Sequence, residues 1–290
     1  MKRILVTGAS GLVGKAFLRA LPPDIQPIAL ARREVDGIET IKHDLRSPNL
    51  PTLPDDVDTV VHLAQEPHFR DFPRMAPSTH AVNTEATLHL LDWARLAGAK
   101  RFILASTGGL YAITNKPITE EQAIEIGEGP LAFYFATKRG AELLTERYQT
   151  LMTTIILRFF FVYGAGQSDT MLFPRLIASV QKGQPIQLAG QDGLRFNPIH
   201  AKDAGDAVAA ALKINKHLTA NIAGPEIVTM RALGEKIGRQ LAMPVNFTSQ
   251  ESLIAPSMVA DISIMREKLV VPKIGITEGI SEAAGPIASA

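Results

Sequence analysis

The sequence of 290 residues contains no cysteine. This excludes disulfide bonds, thiolate metal sites and thiol nucleophiles, and it is typical of a reducing compartment. The chain also has no marked excess of either charge, because 30 basic and 29 acidic residues leave a formal net charge of +1. A nucleic acid or an anionic membrane surface would require a basic excess. We therefore expect no nucleic-acid partner.

Long hydrophobic runs are absent as well, although 46% of the residues are hydrophobic. The strongly apolar stretch 154–164 contains Arg158 and is shorter than a bilayer crossing requires. Glycines and Lys15 interrupt the apolar start of the chain, which is interpreted as a strand and not as a signal peptide. We expect a cytoplasmic protein without membrane association, and a frayed Ala-rich tail at 283–290.

Short apolar runs alternate with helical patterns along the first half of the chain. Strands are predicted at 4–7, 28–31, 59–63, 102–105 and 154–160, and helices at 12–21, 84–96 and 133–148. This alternation predicts an α/β fold of the Rossmann type, with a doubly wound parallel sheet. Proline and glycine become frequent after residue 164, which predicts a smaller C-terminal substrate-binding lobe. The predicted domains are 1–163 and 164–290, partly interleaved at the sheet.

The first predicted strand runs into three glycines at three-residue spacing. Gly8 allows a sharp turn, Gly11 allows backbone N–H groups to approach a pyrophosphate, and Gly14 allows the next helix to pack closely. The start of that helix then faces the phosphates. The alternative is a glycine-rich turn without a ligand. The residues predicted to bind a dinucleotide here are Gly8, Ser10, Gly11, Leu12, Val13 and Gly14.

Tyr134 and Lys138 are four residues apart, which places both side chains on one face of the predicted helix. A tyrosine has an ordinary pKa of about 10, so a neighbouring positive charge is needed before it acts as a base near neutrality. Lys138 is positioned to supply that charge. The alternative is a tyrosine packed in the core beside a solvated lysine.

Ser106 and Thr107 follow an apolar strand and bring two hydroxyls to its carboxyl end. Either hydroxyl could hold a substrate oxygen while Tyr134 transfers a proton, as in the redox chemistry of alcohols and ketones. The alternative is a turn whose hydroxyls bond their own backbone.

In order and spacing, these segments resemble the extended short-chain dehydrogenase/reductase family, in its epimerase/dehydratase branch. The resemblance covers most of the chain. The matching segments are 7–14, 43–45, 61–64, 83, 106–107, 134–138, 158–164 and 199–203.

The resemblance implies that Tyr134 is the catalytic acid and base, that Lys138 binds the nicotinamide ribose and lowers the pKa of Tyr134, and that Thr107 orients the substrate. It implies a homodimer formed through the Tyr134 helix and its neighbour. Further cofactor contacts are implied for Asp44, Leu45, Leu63, Ala64, Asn83, Ser106 and Phe161. An Asn83 that bonds only within its own helix is the structural alternative.

The second strand ends at Arg32 and Arg33, where a site that prefers NAD would present Asp or Glu to the adenosine ribose. Guanidinium groups bind phosphate well, so the two arginines favour NADP over NAD. Adjacent arginines on a solvated surface are the alternative.

Two positions depart from the family pattern. Phe161 stands where nucleotide-sugar epimerases usually carry Asn, and it offers stacking but no hydrogen bond to a sugar or pyrophosphate. Arg195 lies one residue further back than expected. These two departures argue against a UDP or dTDP group on the substrate. The predicted substrate contacts are Thr107, Phe161 and Arg195. Glycines follow Thr107 where dehydratases carry Asp and Glu, so we expect no dehydration, and we expect no metal site.

The predicted function is an NAD(P)-dependent epimerase or oxidoreductase. It would transfer a hydride at a carbinol or carbonyl carbon of a sugar-like substrate, with a nucleotide sugar as one form of that substrate. One alternative is an NADPH-dependent reductase of a small carbonyl compound. Another is an NADP-binding redox sensor without catalysis, which the presence of Thr107, Tyr134 and Lys138 disfavours.

Overall fold

A computed structural model describes residues 2–284 of the chain. The predicted frayed tail lies mostly outside the described residues, but its first two residues are helical and belong to the last helix. The strands are β1 Lys2–Thr7, β2 Ile25–Ala31, β3 Glu39–Lys42, β4 Val57–His62, β5 Arg101–Thr107, β6 Thr153–Phe159, β7 Ile186–Ala189, β8 Arg195–Phe196, β9 Leu218–Ile222, β10 Val228–Thr229, β11 Phe247–Gln250 and β12 Ser257–Met258. The α-helices are α1 Leu12–Arg19, α2 Ala76–His80, α3 Ala86–Leu96, α4 Ala132–Arg147, α5 Leu172–Gln181, α6 Ala201–Ala211, α7 Met230–Leu241 and α8 Ile276–Ala284.

The main sheet has seven strands in the order β3-β2-β1-β4-β5-β6-β9. Its pairs from β3 to β6 are parallel, with Val6 beside Val61 and Val61 beside Ile103. The chain winds outward from β1 to β3 and then returns to place β4 on the other side of β1. Ligands of such sheets bind at the carboxyl ends of the strands where the order reverses. The predicted α/β fold is confirmed.

Two compact units make up the chain. The first comprises the chain up to Ala112, Ala123–Phe159 and Gly205–Ala220, and the second comprises Ile113–Gln122, Phe160–Ala204 and the chain from Asn221 onward. The first unit therefore holds the glycine turn, β5 and α4. The domain boundary expected after residue 163 remains a prediction.

The core of the first unit lies between its sheet and the helices α3 and α4. Strand β5 is buried along its first four residues, as expected for a parallel sheet covered on both faces. Leu90, Leu91 and Ala94 of α3 share one buried face at helical spacing and pack in the same cluster as Phe102 of β5. This packing fixes the carboxyl end of β5 beside α4.

The second unit has its own core, formed by α5, α7, α8 and the short strands. Tyr163 stacks on Phe173 with ring centroids 4.1 Å apart and planes 10° apart. Gly279 on α8 makes room for this ring, because an added Cβ would lie 2.4 Å from the Tyr163 hydroxyl oxygen. Among the helices of the described chain, none has the length and apolarity that a bilayer crossing demands.

The continuous helical segment that ends with α3 begins earlier than the sequence pattern indicates. Helix α2 starts at Ala76 and runs through a wider π-helical turn, Ala81–Glu85, directly into α3. Pro77 stands in the first turn of α2, where its missing N–H removes no helical hydrogen bond. The π turn carries Asn83, which lies among the active-site candidates.

Candidate active site

The turn after β1 is shaped for close contact with a phosphate group. Gly8 has a φ of +70°, and a Cβ on it would lie 2.7 Å from the Ala64 nitrogen. A Cβ on Gly14 would lie 2.1 Å from the Gly8 carbonyl oxygen. Helix α1 begins just after Gly11 and has no side-chain cap and no acidic residue in its first turn. Because its first N–H groups have no side-chain partner there, the turn fits the pyrophosphate of a dinucleotide.

A chain of hydrogen bonds joins β1, β4 and the π turn below this loop. Thr7 Oγ1 lies 2.6 Å from His62 Nδ1 and accepts from Ala64 N at 3.2 Å. His62 Nε2 lies 3.1 Å from Thr87 Oγ1, and Thr87 donates to the Asn83 carbonyl at 2.8 Å. Since the Thr87 proton is used there, His62 Nε2 must donate. Burial, helped by the charge of Lys138, lowers the pKa of His62 to about 3, so the ring is neutral and Nδ1 accepts from Thr7 Oγ1.

Tyr134 and Lys138 lie in the first half of α4 and are both buried, with relative exposures of 7% and 3%. Lys138 Nζ donates to the Ala105 carbonyl at 2.6 Å, which ties α4 to the end of β5. Burial lowers the pKa of Lys138 to about 8, although the charge of Glu142 raises it. The lysine is therefore not the solvated surface residue of the alternative interpretation.

Glu142 lies one helical turn after Lys138 and is completely buried. Arg158 of β6 holds both of its carboxylate oxygens, through Nε at 2.9 Å and Nη2 at 2.8 Å. Arg158 Nη1 also donates to the Tyr111 hydroxyl at 2.6 Å. This buried ion pair fixes α4 to the sheet on the same helix face as the lysine.

The Tyr134 hydroxyl lies between two polar side chains. It donates to Gln65 Oε1 at 3.0 Å, and the Thr107 side chain is near enough to lower its pKa. Thr107 Oγ1 in turn accepts from the Gly109 nitrogen at 3.2 Å. Burial raises the pKa of Tyr134 above its usual range, and the Thr107 side chain and the charge of Arg70 act in the opposite direction. The predicted lowering of this pKa by Lys138 remains a prediction.

Asn83 links the segment after β4 to α4. Its Oδ1 accepts from the Glu66 nitrogen at 3.1 Å, and its Nδ2 donates to Thr137 Oγ1 at 3.0 Å. Thr137 donates to the Tyr134 carbonyl at 2.7 Å. The Asn83 side chain therefore forms hydrogen bonds outside its own helix and supports the turn of α4 that carries Tyr134. The alternative, an Asn83 that bonds only within its own helix, does not agree with this geometry.

The predicted adenosine end of the site carries several charged groups. Arg32 and Arg33 are exposed just after β2. Asp44 pairs with Arg46, whose hydrogen bonds, together with the charges of Arg46 and Arg32, lower the pKa of Asp44 to about 2 despite some desolvation. Glu34 pairs with Lys42 at 2.9 Å. The site therefore has the guanidinium groups of Arg32 and Arg33 near the end of β2, while the carboxylates of Glu34 and Asp44 are already paired with basic side chains.

A comparison with protein families decides the assignment. The model of the NAD dependent epimerase/dehydratase family matches residues 4–223, which is most of the chain and includes every element of the site just described. The chain belongs to this family. The predicted resemblance and the predicted enzyme class, an extended short-chain dehydrogenase/reductase that acts by hydride transfer with a nicotinamide dinucleotide, are confirmed.

Individual relatives agree with this assignment. This chain is 30% identical over 237 residues to the UDP-glucuronate 4-epimerase of Thermodesulfobacterium geofontis. The alignment covers 77% of this chain and 70% of that protein. The chain is 24% identical over 313 residues to a dTDP-4-dehydro-6-deoxy-D-allose reductase of Streptomyces bikiniensis, covering 98% and 95%. The structure of UDP-glucuronic acid 4-epimerase from Bacillus cereus with UDP-glucuronic acid and NAD has a TM-score of 0.84 at 23% identity, covering 97% and 98%.

The remaining predicted site residues of this enzyme occupy four places. Leu45 directly follows Asp44 and is buried in the core of the first unit. Leu63 and Ala64 follow β4 and face the Gly8 turn, and Ser106 is buried at the end of β5 with a hydroxyl that has no hydrogen-bond partner among the described residues. Phe161 and Arg195 belong to the second unit. Phe161 adopts a φ of +44° there and packs edge-on against Phe196 at 4.8 Å.

Several site residues were not predicted from the sequence. Gln65 contacts the Tyr134 hydroxyl, and Phe69 packs on the Tyr134 ring with centroids 4.2 Å apart. Phe135 lies over Gly109, where an added Cβ would be 2.2 Å from its ring. Gln65 directly follows Ala64 at the carboxyl end of β4, so the rule that ligands bind at that edge was the available signal.

Proposed function

We propose that this enzyme epimerises a nucleotide sugar at a carbinol carbon. The observation that carries the proposal is the Tyr134 hydroxyl, which interacts with the Thr107 side chain at the end of β5 and lies one helical turn from the buried Lys138. All three groups belong to the unit that holds the glycine turn. The relatives named as UDP-sugar epimerases support a nucleotide-linked substrate.

The proposed chemistry assigns one task to each side chain. A nicotinamide dinucleotide bound at the glycine turn supplies the hydride acceptor and donor. Tyr134 takes the proton of the substrate hydroxyl and returns it to the carbonyl oxygen after the intermediate has turned over. Thr107 holds the same oxygen, and Lys138 places a positive charge one turn from the phenolate. Because Tyr134 is buried, the phenolate depends on these partners for stabilisation.

We also propose that the enzyme prefers NADP to NAD. Arg32 and Arg33 support this, because two exposed guanidinium groups after β2 suit a 2′-phosphate, and Glu34 is paired with Lys42. Several solved relatives are complexes with NAD, which is a property of those proteins. The double variant Arg32→Ala/Arg33→Ala should lose affinity for NADP more than for NAD. Equal losses would remove the phosphate assignment.

A second candidate function is the reduction of a keto sugar or a smaller carbonyl compound. A 2′-phosphate site favours it, since NADPH is a common reductant, and a keto-sugar reductase aligns with 98% of the chain. Phe161 also favours a substrate with less hydrogen bonding than a nucleotide sugar usually receives.

One assay separates these functions. The purified enzyme is incubated with UDP-sugars, dTDP-sugars, free sugars and small ketones, each with oxidised or reduced dinucleotide, and products are identified by NMR. Formation of an epimer without net change in dinucleotide redox state supports epimerisation. Net oxidation of NADPH supports the reductase. Dinucleotide binding without turnover of any compound would contradict both and favour the redox sensor.

We propose a homodimer formed through α3 and α4, in the cytoplasm. Leu88 and Leu96 on α3 and Leu143 on α4 are large apolar side chains left exposed in this chain, which supports a covered face there. Dependence on a nicotinamide dinucleotide supports the location. Sedimentation of the wild type against Leu143→Glu should show a dimer that the substitution weakens, and a wild-type monomer would refute it. Recovery of the activity outside the cytoplasmic fraction would refute the location.

A further inference from the structure

The segment that follows β4 places an amide directly on the reacting phenol. The Tyr134 hydroxyl donates to Gln65 Oε1 at 3.0 Å, and the two residues are 69 positions apart in the chain. Gln65 is exposed, whereas its neighbour Glu66 is buried. A flexible surface glutamine normally costs entropy to hold in one place, so a contact of this kind needs support from its surroundings.

That support comes from both neighbours of the contact. The Glu66 nitrogen donates to Asn83 Oδ1 at 3.1 Å, and the Glu66 carboxylate accepts from Ser78 and from the His68 nitrogen. Asn83 is 1% exposed and also holds α4 through Thr137, as described above. One buried amide thus fixes both the backbone that carries Gln65 and the helix that carries Tyr134.

The bonding capacity of the phenol explains what the amide does. A tyrosine hydroxyl has one proton to donate and lone pairs to accept. Gln65 receives the proton, and the Thr107 side chain interacts with the same oxygen. A phenolate has no proton to give, so Gln65 Oε1 would then face a negative oxygen. A glutamine amide carries an NH₂ group beside its oxygen, and turning the amide over presents a donor in the same place.

We propose that Gln65 is a positioning residue of the proton-transfer step, whose amide accepts from the Tyr134 phenol through Oε1 while no substrate is bound and donates to the phenolate through Nε2 after turning over. This rests on the proposed function of Tyr134. Hydrogen bonds to an ionised partner are about twice as strong as neutral ones, so the amide favours the phenolate on balance. Replacing it should therefore move the pH dependence of turnover to higher pH.

Other charged groups bear on the same phenol. Arg70, in the segment after β4, favours the phenolate. Lys138 lies one turn along α4, and the Glu66 carboxylate is bonded to Ser78 and His68. None of these groups is changed by a substitution at residue 65, so a shift of the pH profile reports the amide.

The test uses Gln65→Met, which keeps the length but not the hydrogen bonds, and Gln65→Glu, which places a carboxylate beside the phenol. The pH of half-maximal kcat should rise from wild type to Gln65→Met and further to Gln65→Glu. The kcat of Gln65→Met should fall about tenfold, as expected for losing one hydrogen bond to a charged group. The KM should change little, because the rest of the substrate site is intact.

The matched control is Gln149→Met. Gln149 is also exposed and lies beyond the far end of α4, about 20 Å from Tyr134 by helix rise. It should keep the wild-type kcat, pH profile and stability. A Gln65→Met profile that coincides with the wild type, or that moves to lower pH, would overturn the proposal.

A second readout does not depend on turnover. With ¹³Cζ-labelled tyrosine the chain gives four signals, and Tyr134→Phe identifies that of Tyr134. This signal should move in Gln65→Met and Gln65→Glu and stay in place in Gln149→Met. An unmoved signal in both Gln65 variants contradicts the contact. A moved signal in an enzyme that turns over no substrate supports the contact and refutes the proposed function instead.

Discussion

Asn83 Nδ2 donates a hydrogen bond of 3.0 Å to Thr137 Oγ1, and the two residues come from different helices. Through this bond the π turn before α3 holds the turn of α4 that carries Tyr134. Both side chains are buried, so neither has water as a substitute partner.

Asn83→Leu should weaken both stability and activity. It leaves the Glu66 N–H without a partner, which costs about 1–3 kcal/mol of unfolding free energy in a buried setting. It also loosens Tyr134, so kcat should fall more than dinucleotide affinity. Denaturant unfolding and steady-state kinetics measure the two effects. Asn83→Asp keeps the acceptor for Glu66 and loses the donor to Thr137. If Asn83→Leu retained full kcat, the support assigned to Asn83 would be wrong.

Gly8→Ala should abolish tight dinucleotide binding because the new Cβ would lie 2.7 Å from the backbone of Leu63 and Ala64. Gly98 is the matched control. It has a φ of +72°, close to the +70° of Gly8, but nothing lies within 4 Å of an added Cβ. Both variants should lose roughly 1–2 kcal/mol of stability from the left-handed backbone. Titration calorimetry should show weaker dinucleotide binding only for Gly8→Ala. Equal affinities in the two variants would contradict the assignment of the glycine turn as the dinucleotide site.

His62 should make the protein less stable as the pH falls. Its pKa is about 3 in the folded chain against an ordinary 6.5, so between these values the unfolded chain binds more protons. The stability present above pH 6.5 is therefore lost progressively toward pH 3, by up to about 1.4 kcal/mol per pH unit. His62→Gln does not titrate, and its unfolding free energy should fall less steeply from pH 6.5 to 4. Parallel curves for the two proteins would show that His62 is not the source.

The sequence predicts those parts of the fold that depend on local patterns. The glycine turn and the one-turn spacing of Tyr134 and Lys138 are set by neighbours in the chain, and both are found as predicted. Strand β3 was not predicted, because it is an edge strand with no buried residue and no apolar run. The start of α2 was not predicted, because proline disrupts a helix everywhere except in its first turn, and the sequence alone does not show that Pro77 lies in a first turn.

The parts of the site that escaped prediction depend on contacts between distant segments. Gln65 has no local sequence signature, because its role depends on a hydrogen bond with the Tyr134 hydroxyl, 69 residues later in the chain. The pairing of Gly109 with Phe135 likewise requires β5 and α4 to be brought together. Such contacts follow from the order of strands in the sheet, which periodicity alone does not specify.

The most direct test of the account is the behaviour of Tyr134→Phe, which removes one oxygen and keeps the ring that packs on Phe69. The measurement is kcat for the substrate found in the product assay, together with the dissociation constant of the dinucleotide. We predict a kcat about 10²–10⁴-fold lower, as for the loss of a general acid and base, and a dissociation constant close to that of the wild type. A variant that keeps its wild-type kcat would contradict the central role of this hydroxyl.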